Sequence, residues 1–294
     1  MAKKETFWRS VITACGMLII ILTLAIGAFL IYKGVGTFTV FHHSVAEFLF
    51  SPDWNPADDF TGGGHVGAAI FIFGSISICM LALLISAPFS IAAAIFMAEI
   101  SPRLSEKIFQ PAVEIFIGIP SVVYGWVGVT VLVPFLERVF HLPYGFSVLA
   151  GALVLAVMIF PSITSVSADA LRSVPEEYKE AAYGLGSTRW QVIWRVLLPA
   201  ARPGVLTGII LGLARAFGEA LAVAMVIGKK LAFPENIFSP TNNLTSAIAS
   251  DMGGAAEGGE YNLALWTMAL LLLLISYVFI LLVRKISEKQ VRKE

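Results

Sequence analysis

Two charged side chains interrupt an otherwise apolar stretch of the sequence, residues 204–228. Arg215 lies near the middle of this stretch, and Glu219 follows four residues later. Gly208 and Gly212 precede them at a spacing that places all four residues along one stripe of a helix, where glycines allow another helix to pack closely. An arginine at the centre of a membrane-spanning helix costs about 2.5–3.5 kcal/mol on insertion scales. The stripe is therefore expected to face protein or water rather than lipid.

The chemistry that such a stripe favours is the passage of an anion. An arginine stays charged and offers a planar fork of donors that fits an oxyanion, so Arg215 would meet the solute. Glu219 would hold the guanidinium between transits, with about 6 Å of helix rise between the two residues. The alternative is a structural Arg–Glu pair that only fixes the packing of helices. The sequence leaves both interpretations open.

Two further residues are candidates for lining the same path. Glu114 lies about two turns into the third apolar segment, 108–136, where it would partner Arg215, line the path or reach the lipid headgroups. Ser121 closes the run 118–121, whose glycine and proline free backbone groups that protein or water must satisfy. This run is expected to be a hinge, part of the lining, or a packing kink.

The composition assigns the chain to a membrane. Hydrophobic residues make up 57% of its 294 residues and charged residues 14%, against about 45–50% and about 25% in soluble proteins. The formal net charge is zero, which gives no reason to expect nucleic acid as a partner. Cys15 and Cys79 both lie in apolar runs, so a disulfide is not expected. His42 and His43 have no cysteines or carboxylates at ligand spacing, so no metal site is expected either.

Six apolar segments are long enough to cross a bilayer, so the predicted fold class is an all-α integral membrane protein with six transmembrane helices. The segments are residues 11–32, 66–98, 108–136, 145–168, 204–228 and 263–283. Six crossings place both termini on the same side of the membrane. Fifteen of the 20 Lys and Arg residues fall at the termini and in the second and fourth connections. The positive-inside rule therefore places these parts in the cytoplasm.

The expected domain organisation follows these segments. Residues 1–66 would comprise a cytoplasmic N-terminal stub, the first span and an outer loop. Residues 67–283 would form the core with the other five spans, including a polar segment at 169–203 and a second outer loop at 229–262. Residues 284–294 would be a basic cytoplasmic tail.

The polar segment 169–203 is too charged to span a bilayer and too regular for a plain loop. Ser173 with Glu176 predicts the capping-box start of a short helix, which glycines would end near residue 185. Thr188 with Gln191 predicts the start of a second short helix with one apolar face. Two amphipathic helices joined at a glycine predict a docking surface at the membrane.

A motif at fixed spacing runs through this segment, and it consists of Glu180-Ala181-Ala182, Gly186 and Leu198-Pro199. The pattern resembles the EAA signature of permease subunits of ABC importers, with Val196 in place of the usual Ile. The resemblance implies a cytoplasmic coupling-helix loop between the fourth and fifth spans that fits a cleft on an ATP-hydrolysing subunit. The small alanines allow close approach, and the glycine permits a turn that other residues resist. The implied coupling residues are Glu180, Ala181, Ala182, Gly186 and Pro199.

Further stretches resemble the permeases of phosphate-specific transport, namely residues 119–125, 161–167 and 213–220. Residues 243–249 favour the PstC-type subunit over the PstA-type subunit. The resemblance implies an importer with a phosphate-binding protein outside, a second PstA-like permease in the membrane, and a PstB-like ATPase dimer inside. The membrane arginine and glutamate of that family fall on Arg215 and Glu219.

No GxxxxGK[ST] motif occurs in the sequence, so the chain is expected to be no enzyme and to bind no cofactor itself. ATP and Mg would be bound by the partner ATPase. The expected location is the bacterial cytoplasmic (inner) membrane, as a multi-pass protein in contact with the lipid bilayer. One alternative is a permease for molybdate, sulfate or phosphonate. An autonomous ion-driven carrier would commonly show two matched halves, and a membrane enzyme would need a cluster of nucleophile and base.

Overall fold

The computed structural model describes the backbone of residues 2–291 and the side chains of residues 8–285. Within this part of the chain, six helices are long and apolar enough to cross a membrane, which confirms the predicted fold class. They are Trp8–Thr39, Ala69–Ile100, Ser121–Phe140, Val148–Arg172, Arg189–Gly218 and Glu260–Lys285. Most of the predicted basic tail, residues 284–294, lies outside the side chains that the structure describes.

The chain divides into two compact units. The first contains Met1–Ala68 with Asp251–Leu271, and the second contains Ala69–Ser250 with Leu272–Glu294. The helices of the first unit are α1 (Ala2–Gly34), α2 (Gly36–Thr39), α3 (Val45–Phe50) and the start of α15 (Glu260–Val291). Two short antiparallel strands, β1 (Trp54–Asn55) and β2 (His65–Val66), complete this unit, with Trp54 opposite Val66.

The first unit is organised around the carboxylate of Glu260, the first residue of α15. This carboxylate is fully buried and accepts a hydrogen bond from His43 Nε2 at 2.7 Å. It also accepts hydrogen bonds from the backbone N–H groups of Ala57 at 2.6 Å and of Gly63 and Gly64 at 3.0 Å. Four donors satisfy a charge that would otherwise be costly to bury. Glu260 thereby holds the loop between β1 and β2 against the start of α15.

The second unit is built on three packed helices, α4 (Ala69–Ile95), α9 (Val148–Arg172) and α12 (Leu198–Gly218). Large apolar side chains fill the space between them, including Ile78, Leu155, Ile159, Ile163 and Leu213. Two glycines of α12 lie directly against α9. A Cβ on Gly212 would lie 2.6 Å from Ile163 Cγ1, and a Cβ on Gly208 would lie 3.2 Å from Ser167 Oγ. The predicted close helix packing at these glycines is confirmed.

The third span is interrupted where the sequence contains Ile119-Pro120. Helix α6 (Gln110–Gly118) ends before this pair, and both residues are extended, with ψ of 128° and 137°. Proline lacks a backbone N–H and disfavours helical backbone at the preceding residue, so the helix cannot continue. The predicted span 108–136 therefore starts too early. The apolar span consists of α7 (Ser121–Val127), a π-helical turn (Gly128–Leu132) and α8 (Val133–Phe140).

The fifth span begins and ends earlier than predicted. Helix α11 (Arg189–Val192) continues through a π-helical turn (Ile193–Leu197) directly into α12, and the combined helix ends at Gly218. The predicted span 204–228 and the predicted separate second helix of the polar segment are therefore wrong. Pro199 does not break the helix, because it follows a turn in which Leu198 N–H already bonds one residue further back than in an α-helix.

The connection before this span contains α10 (Glu176–Gly184), which ends at a glycine as predicted. Its predicted capping-box start is wrong, because Ser173 Oγ donates to Ala170 O at 2.8 Å and thereby closes the preceding helix instead. The second predicted capping box is confirmed between Thr188 and Gln191. Gly186 has a φ of +80°, so the turn that joins the two helices needs a glycine there.

The connection between the second and third spans is short and irregular. A π-helical turn (Phe96–Ile100) extends α4, and α5 (Pro102–Leu104) and a second π-helical turn (Ser105–Phe109) lead into α6. The turn Phe96–Ile100 buries Met97 and Ala98 in an apolar cluster that also contains Leu171, Val192 and Ile193. The backbone carbonyls at the end of the second span lie here, and they need partners outside their own helix.

Candidate functional site

Two short helices of the second unit lie side by side, one after the break at Ile119-Pro120 and the other after the end of α12 at Gly218. These are α7 and α13 (Leu221–Val226). A Cβ on Gly125 would lie 2.9 Å from Ala222 Cα, and a Cβ on Gly128 would lie 2.8 Å from Val226 Cγ1. Because both pairs advance in the same direction along the chain, the helices run parallel at a distance that only glycine permits. The two breaks therefore lie next to each other.

Arg215 lies in the last turn of α12, just before the second of these breaks. Its guanidinium Nη1 donates a hydrogen bond to Ser162 Oγ at 3.1 Å. Ser162 belongs to α9 and directly follows Pro161, which lies inside that helix. A hydroxyl group is neutral, so it orients the guanidinium without cancelling its charge. The result is a half-buried, positioned cation that is suited to an anion.

Glu219 does not lie on the same helical stripe as Arg215, contrary to the prediction. Helix α12 ends at Gly218, and Glu219 has extended backbone with φ −80° and ψ 119°. Its Oε1 accepts a hydrogen bond from Ala222 N at 3.2 Å, at the start of α13, where N–H groups have no helical partner. The two charged side chains therefore have different partners in this structure, and the predicted Arg–Glu pair is absent from it.

The other two predicted path residues lie at different distances from this region. Ser121 is the first residue of α7 and is half-buried, so it lies at one of the two breaks. Glu114 lies earlier, on α6, where it is exposed and accepts a hydrogen bond from Gln110 Nε2 at 3.3 Å. The structure therefore brings Ser121 to the breaks but gives Glu114 a partner one turn back on its own helix rather than Arg215.

Two hydroxyl side chains at these breaks were not predicted. Tyr124 Oη donates to Phe116 O at 2.8 Å, which joins α6 to α7 across the break and satisfies a carbonyl that the helix leaves free. Ser162 is the partner of Arg215. The signal that could have indicated Ser162 is its position, since it is a polar side chain beside a proline in an apolar helix.

The predicted coupling residues fall into two groups. Glu180, Ala181 and Gly186 are exposed, and so are the apolar side chains of Tyr178 (55% exposed) and Leu185 (89% exposed). Ala182, in contrast, is buried in the same apolar cluster as Met97 and Ala98. Pro199 is half-buried. The expectation that Ala182 contacts a partner directly is therefore not supported by its position. Apolar side chains exposed on a polar connection mark a surface that a partner can cover.

The start of the fifth span continues this exposed surface. The predicted apolar face of this segment divides in two, because Ile193 and Leu197 are buried while Trp190 and Trp194 are about half exposed. The two tryptophan rings lie edge to face with their centroids 5.6 Å apart. An aromatic pair of this kind suits either a protein interface or the headgroup region of a membrane.

A metal centre is not part of this arrangement. Among residues 8–285, no group of three or more His, Cys, Asp or Glu side chains is placed to hold a metal ion. His43 lies instead between two carboxylates, with Nε2 on Glu260 and Nδ1 3.6 Å from Glu47 Oε2. These contacts give the histidine a structural role in the first unit.

Comparison with known families decides what kind of protein carries these features. Residues 90–293 match the family described as "Binding-protein-dependent transport system inner membrane component". The chain belongs to this family. It is a permease subunit of an ABC importer, a class of subunit that has no ATPase site of its own and works with an ATPase and a substrate-binding protein.

Similar proteins from bacteria match along nearly the whole permease. One is the probable ABC transporter permease protein YqgH of Bacillus subtilis, at 48% identity over 97% of this chain and 92% of the relative. Another is the phosphate transport system permease protein PstC of Pasteurella multocida, at 36% identity over 98% of this chain and 94% of that protein. These relatives confirm the resemblance to PstC-type permeases and identify a multi-pass protein of the bacterial inner-membrane permease type.

Solved structures show the same fold at lower identity. A chain of a bacterial alginate ABC transporter aligns over 93% of this permease and 94% of its own length, with a TM-score of 0.59 and 20% identity. A chain of the MetNI methionine ABC transporter aligns over 74% of this permease and 93% of its own length, with a TM-score of 0.57 and 18% identity. The arrangement of helices is therefore that of ABC transporter membrane subunits.

Proposed function

We propose that this permease imports inorganic phosphate across the bacterial cytoplasmic membrane. The support for phosphate is the similarity to proteins named PstC, which are 31–36% identical over 98–100% of the chain. The clustering of Lys and Arg in the termini and in two of the connections supports a cytoplasmic location for both ends. Under this orientation α10 and the exposed surface around it face the cytoplasm.

The observation that carries the proposal is the partner of Arg215. An anion that crosses the interior of a membrane needs a cation, because an uncompensated charge there is strongly disfavoured. Ser162 positions the guanidinium by one neutral hydrogen bond, so its full charge remains for the solute. The planar guanidinium can donate two parallel hydrogen bonds to two oxygens of one phosphate. A carboxylate in place of Ser162 would have removed that attraction.

Release of the solute follows from the same arrangement. Phosphate must leave Arg215 quickly, and Ser162 can take back the guanidinium donor when the anion departs. In this proposal Ser162 performs the resting role that the sequence suggested for Glu219. Glu219 instead accepts a hydrogen bond at the start of α13 and so helps to fix the break that follows Gly218.

The remaining parts of the importer are other chains. One connection of this type per permease supports a second, PstA-like permease as the other half of the pore. A PstB-like ATPase dimer would bind ATP and Mg and would cover the exposed residues Tyr178, Ala181 and Leu185. A phosphate-binding protein would deliver the anion from outside.

Uptake into vesicles tests this function directly. Vesicles containing the permease with its second permease and ATPase, supplied with the binding protein and ATP, should accumulate labelled phosphate, and excess sulfate or molybdate should not compete. Vesicles with this chain alone should neither hydrolyse ATP nor take up phosphate. Strong competition by sulfate or molybdate would favour another oxyanion, and saturable uptake by the chain alone would favour the ion-driven carrier.

A further inference from the structure

An ion pair connects α10 to the end of the second span. Lys179 Nζ lies 2.8 Å from Glu99 Oε1, and the two side chains are only 15% and 12% exposed. Lys179 also lies 3.4 Å from Glu176 Oε2, but that carboxylate is largely exposed. Burial lowers the pKa of Lys179, while the nearby carboxylates of Glu99 and Glu176 outweigh this effect and raise the pKa above its ordinary value. The ammonium is therefore firmly charged at neutral pH.

Two arginines hold the same connection from neighbouring elements. Arg189, the first residue of the fifth span, donates to the backbone carbonyls of Glu99 and Ile100. A cation at the carbonyl end of a helix satisfies orphan acceptors and complements the helix dipole. Arg172, the last residue of α9, donates to Ser105 Oγ at 2.9 Å. Three cations from three elements thus converge on the end of the second span and the short connection that follows it.

The apolar contacts of α10 are few by comparison. Ala182 is its one buried residue, packed in the same core as Ala98 of the second span and Ile193 of the fifth. One small side chain gives α10 little apolar hold on the rest of the unit. The ion pair between Lys179 and Glu99 therefore supplies a large part of the connection between α10 and the second span.

We propose that Lys179 and Glu99 are positioning residues that pass movement of α10 to the second span. The inference rests on the proposed function, in which an ATPase covers α10 and moves it when it closes. The second span packs along α9, which carries Ser162, the partner of Arg215. A displacement of α10 that reaches the second span therefore acts on the helices that position the arginine. Without the ion pair, α10 would move with the ATPase while the second span lagged behind.

The test measures phosphate uptake and ATP hydrolysis together in the reconstituted complex. Lys179→Gln and Glu99→Gln should each lower uptake per ATP hydrolysed by about fivefold or more, the lower end of typical coupling between sites. The reversed pair, Lys179→Glu with Glu99→Lys, should restore at least half of the wild-type ratio, because it rebuilds the ion pair. Glu177→Gln, an exposed change on the same helix, is the matched control and should leave the ratio unchanged.

Two results would overturn the inference. An unchanged ratio of uptake to ATP in both single variants, with only the amount of complex reduced, would assign the pair to stability alone. A reversed pair no better than the single variants would exclude the ion pair as the link. Failure of the proposed substrate is distinguishable, because a wild-type complex would then take up no phosphate. The same ratio is in that case measured with the oxyanion that the wild type does carry.

Discussion

Glu260 and Arg215 are both charged side chains taken out of water, but the protein treats their charges in opposite ways. Glu260 is fully buried and has four donors around its two oxygens, one of them a histidine. Arg215 is half-buried and has one hydrogen bond, to a neutral hydroxyl. The hydrogen bonds of Glu260 hold a loop against a helix. The guanidinium of Arg215 is positioned, but its charge remains available to a solute.

The difference indicates how a structural charge can be told from a transport charge. A charge whose hydrogen-bonding capacity is filled by the protein itself has nothing left for a solute, and removing it leaves several buried donors unpaired. A charge with one neutral partner can gain more from an arriving anion than it loses by giving up that partner. Glu260 should therefore affect folding and Arg215 should affect transport.

The largest effect on stability is expected for Glu260→Ala. This change leaves the His43 ring and three backbone N–H groups without their acceptor, which should destabilise the first unit by about 3–5 kcal/mol. Thermal unfolding of the purified protein measures this loss, and uptake should fall only as far as the amount of folded protein does.

Glu257→Ala is the matched control for that experiment. Glu257 is 88% exposed and lies 3.6 Å from Lys33, so its removal should cost about 0–1 kcal/mol. If Glu260→Ala unfolds at the same temperature as Glu257→Ala, the four hydrogen bonds contribute little to stability. Glu260 would then not be the structural charge that is contrasted with Arg215.

A smaller effect, on transport, is expected for Ser162→Ala. The arginine keeps its charge but loses the hydrogen bond that orients it, and a single neutral partner is worth about 0.5–1.5 kcal/mol. Uptake per assembled complex should therefore fall about two- to tenfold. Ser165→Ala, one turn further along α9, controls for the substitution itself. Equal losses in the two variants would show that Ser162 has no special relation to Arg215.

The smallest effect is expected for Glu114→Gln. Glu114 is exposed and accepts a hydrogen bond from Gln110, which a glutamine oxygen can still accept. Initial rates of phosphate uptake should change by less than about twofold, within the range of ordinary surface changes. A loss of tenfold or more in the uptake rate would show that Glu114 lies on the solute path and that a second charged side chain meets the anion.

How much of the fold and of the candidate site the sequence predicts depends on how far apart the interacting residues lie in the sequence. The Thr188 cap, the turn at Gly186 and the close packing at Gly212 depend on local spacing, so the sequence indicated all three. The end of α12 at Gly218 was missed because the residues that follow Glu219 continue the apolar pattern. Gly218 and Glu219 stand at that point, but a glycine and a charged residue fit a continuous helix as well as a broken one.

Long-range partners could not be predicted from spacing at all. His43 and Glu260 are 217 residues apart, and Arg215 and Ser162 are 53 residues apart. The sequence offered Glu219 as the nearest partner for Arg215, whereas the fold gives each side chain a different one. Lys179 and its partner Glu99 likewise lie far apart in the sequence, so spacing could not indicate their ion pair.

Uptake of phosphate by Arg215 variants, divided by the amount of assembled complex, tests the central claim most directly. Arg215→Ala should assemble normally and lose about 100-fold in uptake, as expected when a charged hydrogen-bonding group at the solute is removed. Arg215→Lys should keep the charge but lose the planar fork, with a loss of about tenfold. If Arg215→Ala assembles and transports phosphate at the wild-type rate, the available charge is not used for transport and the solute path lies elsewhere.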